Sequence, residues 1–138
     1  MTDITKEVII AVVSRIRSQI TEISNRIYFE PQQKTAFPYI SYRFDVNDVP
    51  MKTVQGQEFI FTFSVFTQRE SLSSSAIESA SEITSKLYDA FDKNNDLTLT
   101  QGEVVCCNWD GFQRAIPEED GRTVQMVTRF KIFATNSI

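Results

Sequence analysis

The 138-residue chain contains no histidine. That removes the Ser-His-Asp and Cys-His routes to an activated nucleophile, the two-histidine zinc sites, and the imidazole that most often moves protons near neutral pH. Glycine is scarce, with four in all, at Gly56, Gly102, Gly111 and Gly121, so there is no phosphate-cradling loop and no dinucleotide fingerprint. The two cysteines, Cys106 and Cys107, are adjacent in a strand-like run, where neighbouring side chains point to opposite faces. A bridge between them would be strained, and two free thiols in a reducing compartment are expected. No apolar run approaches the roughly 20 residues that span a bilayer, and the expectation is a soluble, cytoplasmic chain with no membrane partner. Basic charge is also short: the net charge is −4, which argues against a general nucleic-acid binder.

What the sequence does have is apolar and aromatic mass. Hydrophobic residues make up 41% and aromatics 12%, with eleven phenylalanines, enough to bury a core in one domain spanning residues 1–138. From Ile4 to about Ile23 the apolar residues fall at Ile4, Val8, Val12, Ile16, Ile20 and Ile23, with Ile9 and Val13 beside them. This is helical spacing, with Lys6, Glu7, Arg15, Arg17 and Glu22 left for water and Thr2 or Asp3 as candidate cap. Arg26–Phe29 reads as a short strand, and Phe37–Asp45 as an alternating one with Ile40, Tyr42 and Phe44 on one face. Asn47–Gln57, punctuated by Pro50 and Gly56, reads as a long loop of the kind that is often functional.

Glu58–Thr67 is the strongest strand, with Phe59, Phe61, Phe63 and Val65 on one face and Ile60 and Phe66 on the other. A strand apolar on both sides calls for cover on both sides, from a helix, a second layer or a neighbouring subunit. The serines of Ser71–Ser75 are candidate caps for a second amphipathic helix carrying Ala76, Ile77, Ala80, Ile83, Thr84, Leu87, Tyr88 and Phe91. Glu103–Trp109 returns to period two and continues past a bend or bulge at Asp110–Gly111. Asp120–Gly121 is a hairpin signal, and Arg122–Thr135 forms the last strand. The fold class is therefore α+β, an antiparallel or mixed β-sheet of four to five strands flanked by two main amphipathic helices.

Asp92–Glu103, DKNNDLTLTQGE, mimics a calcium-binding EF-hand loop, with Asp92, Asn94, Asp96 and Glu103 at liganding positions. The mimicry is incomplete, because position six holds Leu97 where the loop needs glycine, and the β-branched exit Val104–Val105 favours a strand over the second helix. A helix end handing the chain to a strand is the preferred reading; a calcium-binding module using residues 92–103 is the alternative from another class. Glu118, Glu119 and Asp120 read as a solvated turn, and Asp45 with Asp48 as a carboxylate pair without a pocket. Arg15, Arg17 and Arg26 read as solvated helix-face charge, with acids of a neighbour as the alternative partners. No cofactor and no catalytic residue is expected.

The order of these elements has a familiar form. An N-terminal amphipathic helix, the proline-tyrosine strand start FPYISYRF, the aromatic strand FIFTFSVFT, the helix ending KLYDAFDKNNDLTL and the C-terminal pair VVCCNWDGF and RTVQMVTRFKIFAT resemble the tail terminator proteins of tailed bacteriophages, also called tail completion or head-tail joining proteins. The resemblance covers nearly the whole chain, with Pro38 and Tyr39 as the strand-start landmark. It implies a virion structural protein, assembled in the host cytoplasm, that forms a homo-hexameric ring at the head-proximal end of the tail tube. The ring would stop tube polymerisation and meet the tail tube protein, the head-tail connector or stopper, and the sheath in a contractile tail, while DNA passes through without specific binding. Other neck or tail-tube-related structural proteins are the near alternatives. The residues expected to contact a neighbour or partner are Val49, Pro50, Met51 and Lys52 of the long loop, Phe59 and Phe61 of the aromatic strand, and Arg15 and Arg17 of the first helix.

Overall fold

The structure, a computed structural model, describes residues 4–30, 36–50, 55–68, 76–92, 97–100, 102–120 and 122–136. Helix α1 spans Thr5–Gln19 and buries Val8, Val12 and Ile16, the i, i+4 stripe of an amphipathic helix. The apolar spacing continues to Ile23, but the helix does not. Ile20 leaves helical geometry, a single 3₁₀ turn at Thr21–Ile23 follows, and Ser24 and Asn25 take positive φ of 47° and 65°. Ile20 and Ile23 are both fully buried, so the periodicity reports burial in one core across a change of backbone. The N-cap is Ile4, without a side-chain cap bond; Thr2 and Asp3 lie outside the described residues, as do the serines at 71–75.

Strand β1 (Ile27–Tyr28) pairs in parallel with β2 (Tyr39–Pro50). The remaining pairings are antiparallel, β2 with β3 (Gln55–Gln68), β3 with β5 (Thr123–Asn136) and β5 with β4 (Gly102–Pro117), giving a five-stranded mixed sheet in the order β1-β2-β3-β5-β4. The chain enters β2 after a cis Phe37–Pro38 bond, and the Arg26 guanidinium donates to both carbonyls, Nε to Pro38 O at 3.0 Å and Nη2 to Phe37 O at 3.2 Å. Arg26 thus fixes the β1–β2 corner from within the subunit.

The expected long loop at Asn47–Gln57 is corrected by the register. Asn47 faces Glu58, Asp48 faces Gln57, Val49 faces Gly56 and Pro50 faces Gln55, and β5 stays beside β3 as far as Asn136 opposite Gln55, so this stretch is the β2–β3 end of the sheet and only residues 51–54 lie between the two strands. Polar composition misled the reading here, because a ladder of backbone hydrogen bonds does not require apolar side chains when one or both faces meet water.

One face of the sheet carries Phe59, Phe61, Phe63 and Val65 of β3 with Met126, Thr128, Phe130, Ile132 and Ala134 of β5, all buried. Helix α2 (Ala76–Phe91) packs its Ala80, Ile83, Leu87, Ala90 and Phe91 onto this face, and α1 joins the same core. Phe63 centres an aromatic cluster, with rings of Phe61, Phe91 and Phe130 at 5.8, 5.7 and 6.0 Å. Helix α2 is tied to α1 by Arg15 Nη1 donating to Ala90 O at 3.1 Å and to the 3₁₀ turn after α1 by Lys86 and Glu22 at 2.6 Å.

The opposite face has no helix over it among the described residues. Its corner beside β1 is filled by its own aromatics, Tyr39 stacked on Phe66 at 4.7 Å with Phe37 and Tyr28 against Tyr39. Across the rest, Ile60, Thr62, Ser64 and Val127 are half-buried, while Arg43, Asp45 and Lys131 are exposed. Among the described residues, cover on both sides of β3 is therefore met by helices on one side and, on the other, by the Tyr39 ring at Phe66.

The stretch that mimics a calcium loop is a helix-to-strand corner. α2 ends at Phe91, Leu97 is buried in the core, and the chain enters β4 at Gly102, where an EF-hand would start its second helix. Asn94 and Asp96 lie outside the described residues. The Asp92 carboxylate accepts the Trp109 backbone N–H at 2.7 Å, which ties the corner to the middle of β4.

Candidate interaction surface

Helix α2 lies over β3 and β5 and leaves part of β4 uncovered. Ile77, Ser81, Ser85 and Tyr88 are spaced four, four and three residues apart, so they form one stripe along the helix. Ser81, Ser85, Tyr88 and Asp89 of α2 face Trp109 and Gln113 of β4 across an open cavity of about 370 Å³ floored by Thr128 and Phe130. Tyr88 and Trp109 meet edge to face at 5.6 Å, and they remain 42% and 36% exposed, a large outlay of aromatic surface for a small domain. The Trp109 indole N–H donates to Thr128 Oγ1 at 3.0 Å and to Phe112 O at 3.2 Å, so the ring is held in place from its polar edge. The Asp92 carboxylate, by its hydrogen bond and then by its charge, holds the Tyr88 phenol above its usual pKa. Tyr88 is thus a neutral donor throughout the physiological range.

The wall opposite α2 exists because β4 is irregular. Its register against β5 shifts between Val104 and Cys106 and again between Trp109 and Gln113, and Gly111 in the second bulge has φ of +78°, a conformation glycine adopts without steric cost. The bulge pushes Asp110 to the open face of the sheet, where its carboxylate lies 3.2 Å from Arg129 Nη2 and 3.4 Å from Lys131 Nζ. The Arg129 guanidinium also sits 4.5 Å above the Phe112 ring, while its buried Nε has no hydrogen-bond partner among the described residues. Arg43 on β2 and Arg114 on β4 are exposed, and the register sets both on this face with Arg129. Bulges also blunt β4 as an edge strand, which limits open-ended pairing with other chains.

The residues expected to make contacts do not form one site. Phe59 and Phe61 are fully buried in the subunit's own core, so a partner seated on the sheet would meet neither side chain. Val49 is half-buried near the end of β2, opposite Gly56, and Pro50 closes the strand; Met51 and Lys52 lie outside the described residues. Arg15 reaches the C-terminal end of α2, where a cation meets the negative end of the helix dipole, and Arg17 is exposed in the last turn of α1. Asp45 is exposed on β2 and Asp48 accepts from Gln57 Nε2 at 3.3 Å. With an odd spacing on one strand the two aspartates point to opposite faces, so they are not an acid-base pair. Asp120, read as solvated, organises the β4–β5 turn by accepting from the backbone N–H of Arg122 and Thr123, both at 2.8 Å, and from Thr123 Oγ1 at 2.7 Å.

Sequence reasoning missed the Tyr88–Trp109 cleft and the cations of the open face. Tyr88 fits the apolar stripe of α2, and nothing local shows that β4 bulges away beneath it. The cations were legible in principle as the alternate positions Arg43, Arg129 and Lys131 of two strands whose other face was already assigned to the core. Among the described residues no three His, Cys, Asp or Glu side chains gather as metal ligands, and no helix is long and apolar enough to cross a membrane. The chemistry available at these surfaces is recognition by aromatic faces, carboxylates and guanidinium groups.

No curated protein sequence matches the chain. A solved structure described as the virion of a native gene transfer agent particle contains a chain with the same fold, at a TM-score of 0.78 and 20% identity, covering 99% of this chain and 100% of that one. The family model described as tail completion protein gp17 matches residues 10–135, from the first turns of α1 to the end of β5. The chain belongs to the tail completion protein gp17 family and is a structural protein of a virion tail.

Proposed function

We propose that the subunit assembles as a closed ring at the head-proximal end of the tail tube, where it ends tube polymerisation and provides the surface on which the head connector or stopper docks. The observation that carries this reading is the single-sided sheet. β2, β3, β5 and β4 are each 12 to 16 residues long, yet among the described residues the helices cover one face only. Two different exposed faces allow a heterologous contact, and such contacts repeated around an axis form a ring when the rotation closes. Six subunits is the number the family resemblance suggests.

The net charge of −4 suits a channel through which DNA moves without adhering, since like charge disfavours binding. The tail tube protein is the partner on one side of the ring and the connector on the other; a contractile tail would add sheath contacts. Tail length tests the terminating role: particles assembled without the protein should show overlong tubes or tails lacking heads in electron micrographs. Joined particles with tubes of normal length would refute it.

A further inference from the structure

We propose that the outer side of α2, with the Tyr88–Trp109 cleft, seats on the open sheet face of a second copy of this chain, so that helix layer and sheet layer alternate around the assembly. The inference rests on the ring reading for its closure, and it names the two surfaces that meet.

Size is the first argument. Four strands of about 14 residues, at roughly 3.3 Å per residue and roughly 4.8 Å between strands, span about 900 Å². That is on the scale of the roughly 800 Å² each partner buries in a standard interface. The half-buried Ile60, Val127 and Phe133 supply its apolar centre, and Ile77 and Tyr88, 46% and 42% exposed, supply apolar area on the helix side.

Charge is the second. The outer side of α2 carries Glu78, Glu82 and Asp89, and its one lysine, Lys86, is engaged with Glu22 of the same subunit. On the open face the guanidinium groups Arg43, Arg114 and Arg129 lie in the middle and toward the β4–β5 turn, Lys131 and Asp45 share the next row on either side of Ile60, and Glu58 and Glu103 lie beyond them at the β2–β3 end. Asp110 partners Arg129 and Lys131 within the subunit, which leaves Arg43 and Arg114 as the exposed guanidinium groups on either side of them. An acidic helix meets a cationic half-sheet, and the acids at the β2–β3 end set which way round it lies.

The cleft supplies the third argument. Its walls offer two aromatic rings, two serine hydroxyls and the Asp89 carboxylate, and no cation. A guanidinium entering it would stack on an aromatic face while pairing with a carboxylate, the combination that most favours arginine at protein interfaces. Because the two surfaces differ, the contact is head to tail and leaves one of each free on every growing chain of subunits until the ring closes.

The test reverses charge on each surface in turn. Arg43→Glu with Arg114→Glu inverts the sheet face, and Glu82→Lys with Asp89→Lys inverts the helix face. All four side chains are exposed, and circular dichroism with urea midpoints establishes that each protein is folded. Assembly is followed by light scattering and by binding to isolated tail tubes. Each inverted protein is expected to assemble more weakly than the parent by more than about tenfold at roughly 0.1 M salt. A one-to-one mixture of the two is expected to recover assembly, because the acidic sheet of one meets the basic helix of the other and the two native surfaces still match. Should either inverted protein fail to fold, Arg114→Gln and Asp89→Asn replace the reversals, and the expected result is weaker assembly with a shallower salt dependence. Parental assembly in every variant, or a mixture no better than its components, would overturn the interface while leaving the ring intact. A parent that forms no ring, alone or on tubes, would refute the ring reading itself.

Discussion

Replacing Phe61 with alanine separates a core role from a contact role. The side chain has no exposed surface in the isolated subunit and lies among Phe44 at 5.6 Å, Phe63 at 5.8 Å and Tyr42 and Phe59 at 6.4 Å. A buried phenylalanine removes roughly 150 Å² or more from water, and at about 25 cal/mol per Å² this is worth about 4 kcal/mol. Phe→Ala losses of about 3–5 kcal/mol in well-packed cores agree. Against a total stability of about 5–15 kcal/mol the variant should be markedly destabilised. For 138 residues the unfolding entropy of about 2.1 cal/mol/K per residue turns that loss into a fall in Tm of about 10–17 °C. The assay is urea denaturation followed by circular dichroism at fixed protein concentration, because assembly makes stability concentration-dependent. Phe61→Leu, which keeps most of the volume, should lose much less. An unchanged urea midpoint with weakened assembly would refute the placement of Phe61 in the core and return it to a partner surface.

Gly111→Ala should cost about 1–2 kcal/mol through backbone strain alone, since φ is +78° and an added Cβ would meet no atom within 4 Å; Gly111→Asn should cost less, and equal urea midpoints for alanine and glycine would contradict the bulge geometry. The Thr123 hydroxyl, then the N–H groups of Arg122 and Thr123, hold the Asp120 carboxyl below the usual aspartate range. Its native pKa being lowered, its contribution is present above the ordinary value of about 3.9 and is lost as pH falls through the native value. The stability gap between the parent and Asp120→Asn should therefore be largest near neutral pH and close in acid, and a gap that persists in acid would contradict this. Calorimetric titration to millimolar calcium should give no binding heat in the parent or in Glu103→Gln; heat that Glu103→Gln abolishes would restore the calcium reading.

Much of the fold follows from periodicity. Ile4, Val8, Val12 and Ile16 announce α1, and the alternation of Phe59, Phe61, Phe63 and Val65 announces the core face of β3. The pairing of β1 with β2 in parallel was not legible, because two residues carry no direction. The β2–β3 end reads as a loop in the sequence since its side chains, such as Asn47 and Asp48, serve solvent and polar partners while its backbone makes the ladder. Phe59 and Phe61 read as partner contacts in the sequence because an apolar strand shows only that both faces need cover. Which face the helices take depends on how α1 and α2 fold back, a long-range outcome. The Tyr88–Trp109 cleft depends in turn on a two-step bulge in β4 that Gly111 permits and no local pattern dictates.

The mass of the native assembly tests the central claim most directly. Light scattering at micromolar concentration, with negative-stain images of the same sample and of tail tubes carrying the protein, should show a closed ring; six copies of a 15.8 kDa chain give about 95 kDa. A strict monomer that also fails to bind tail tubes would contradict the account.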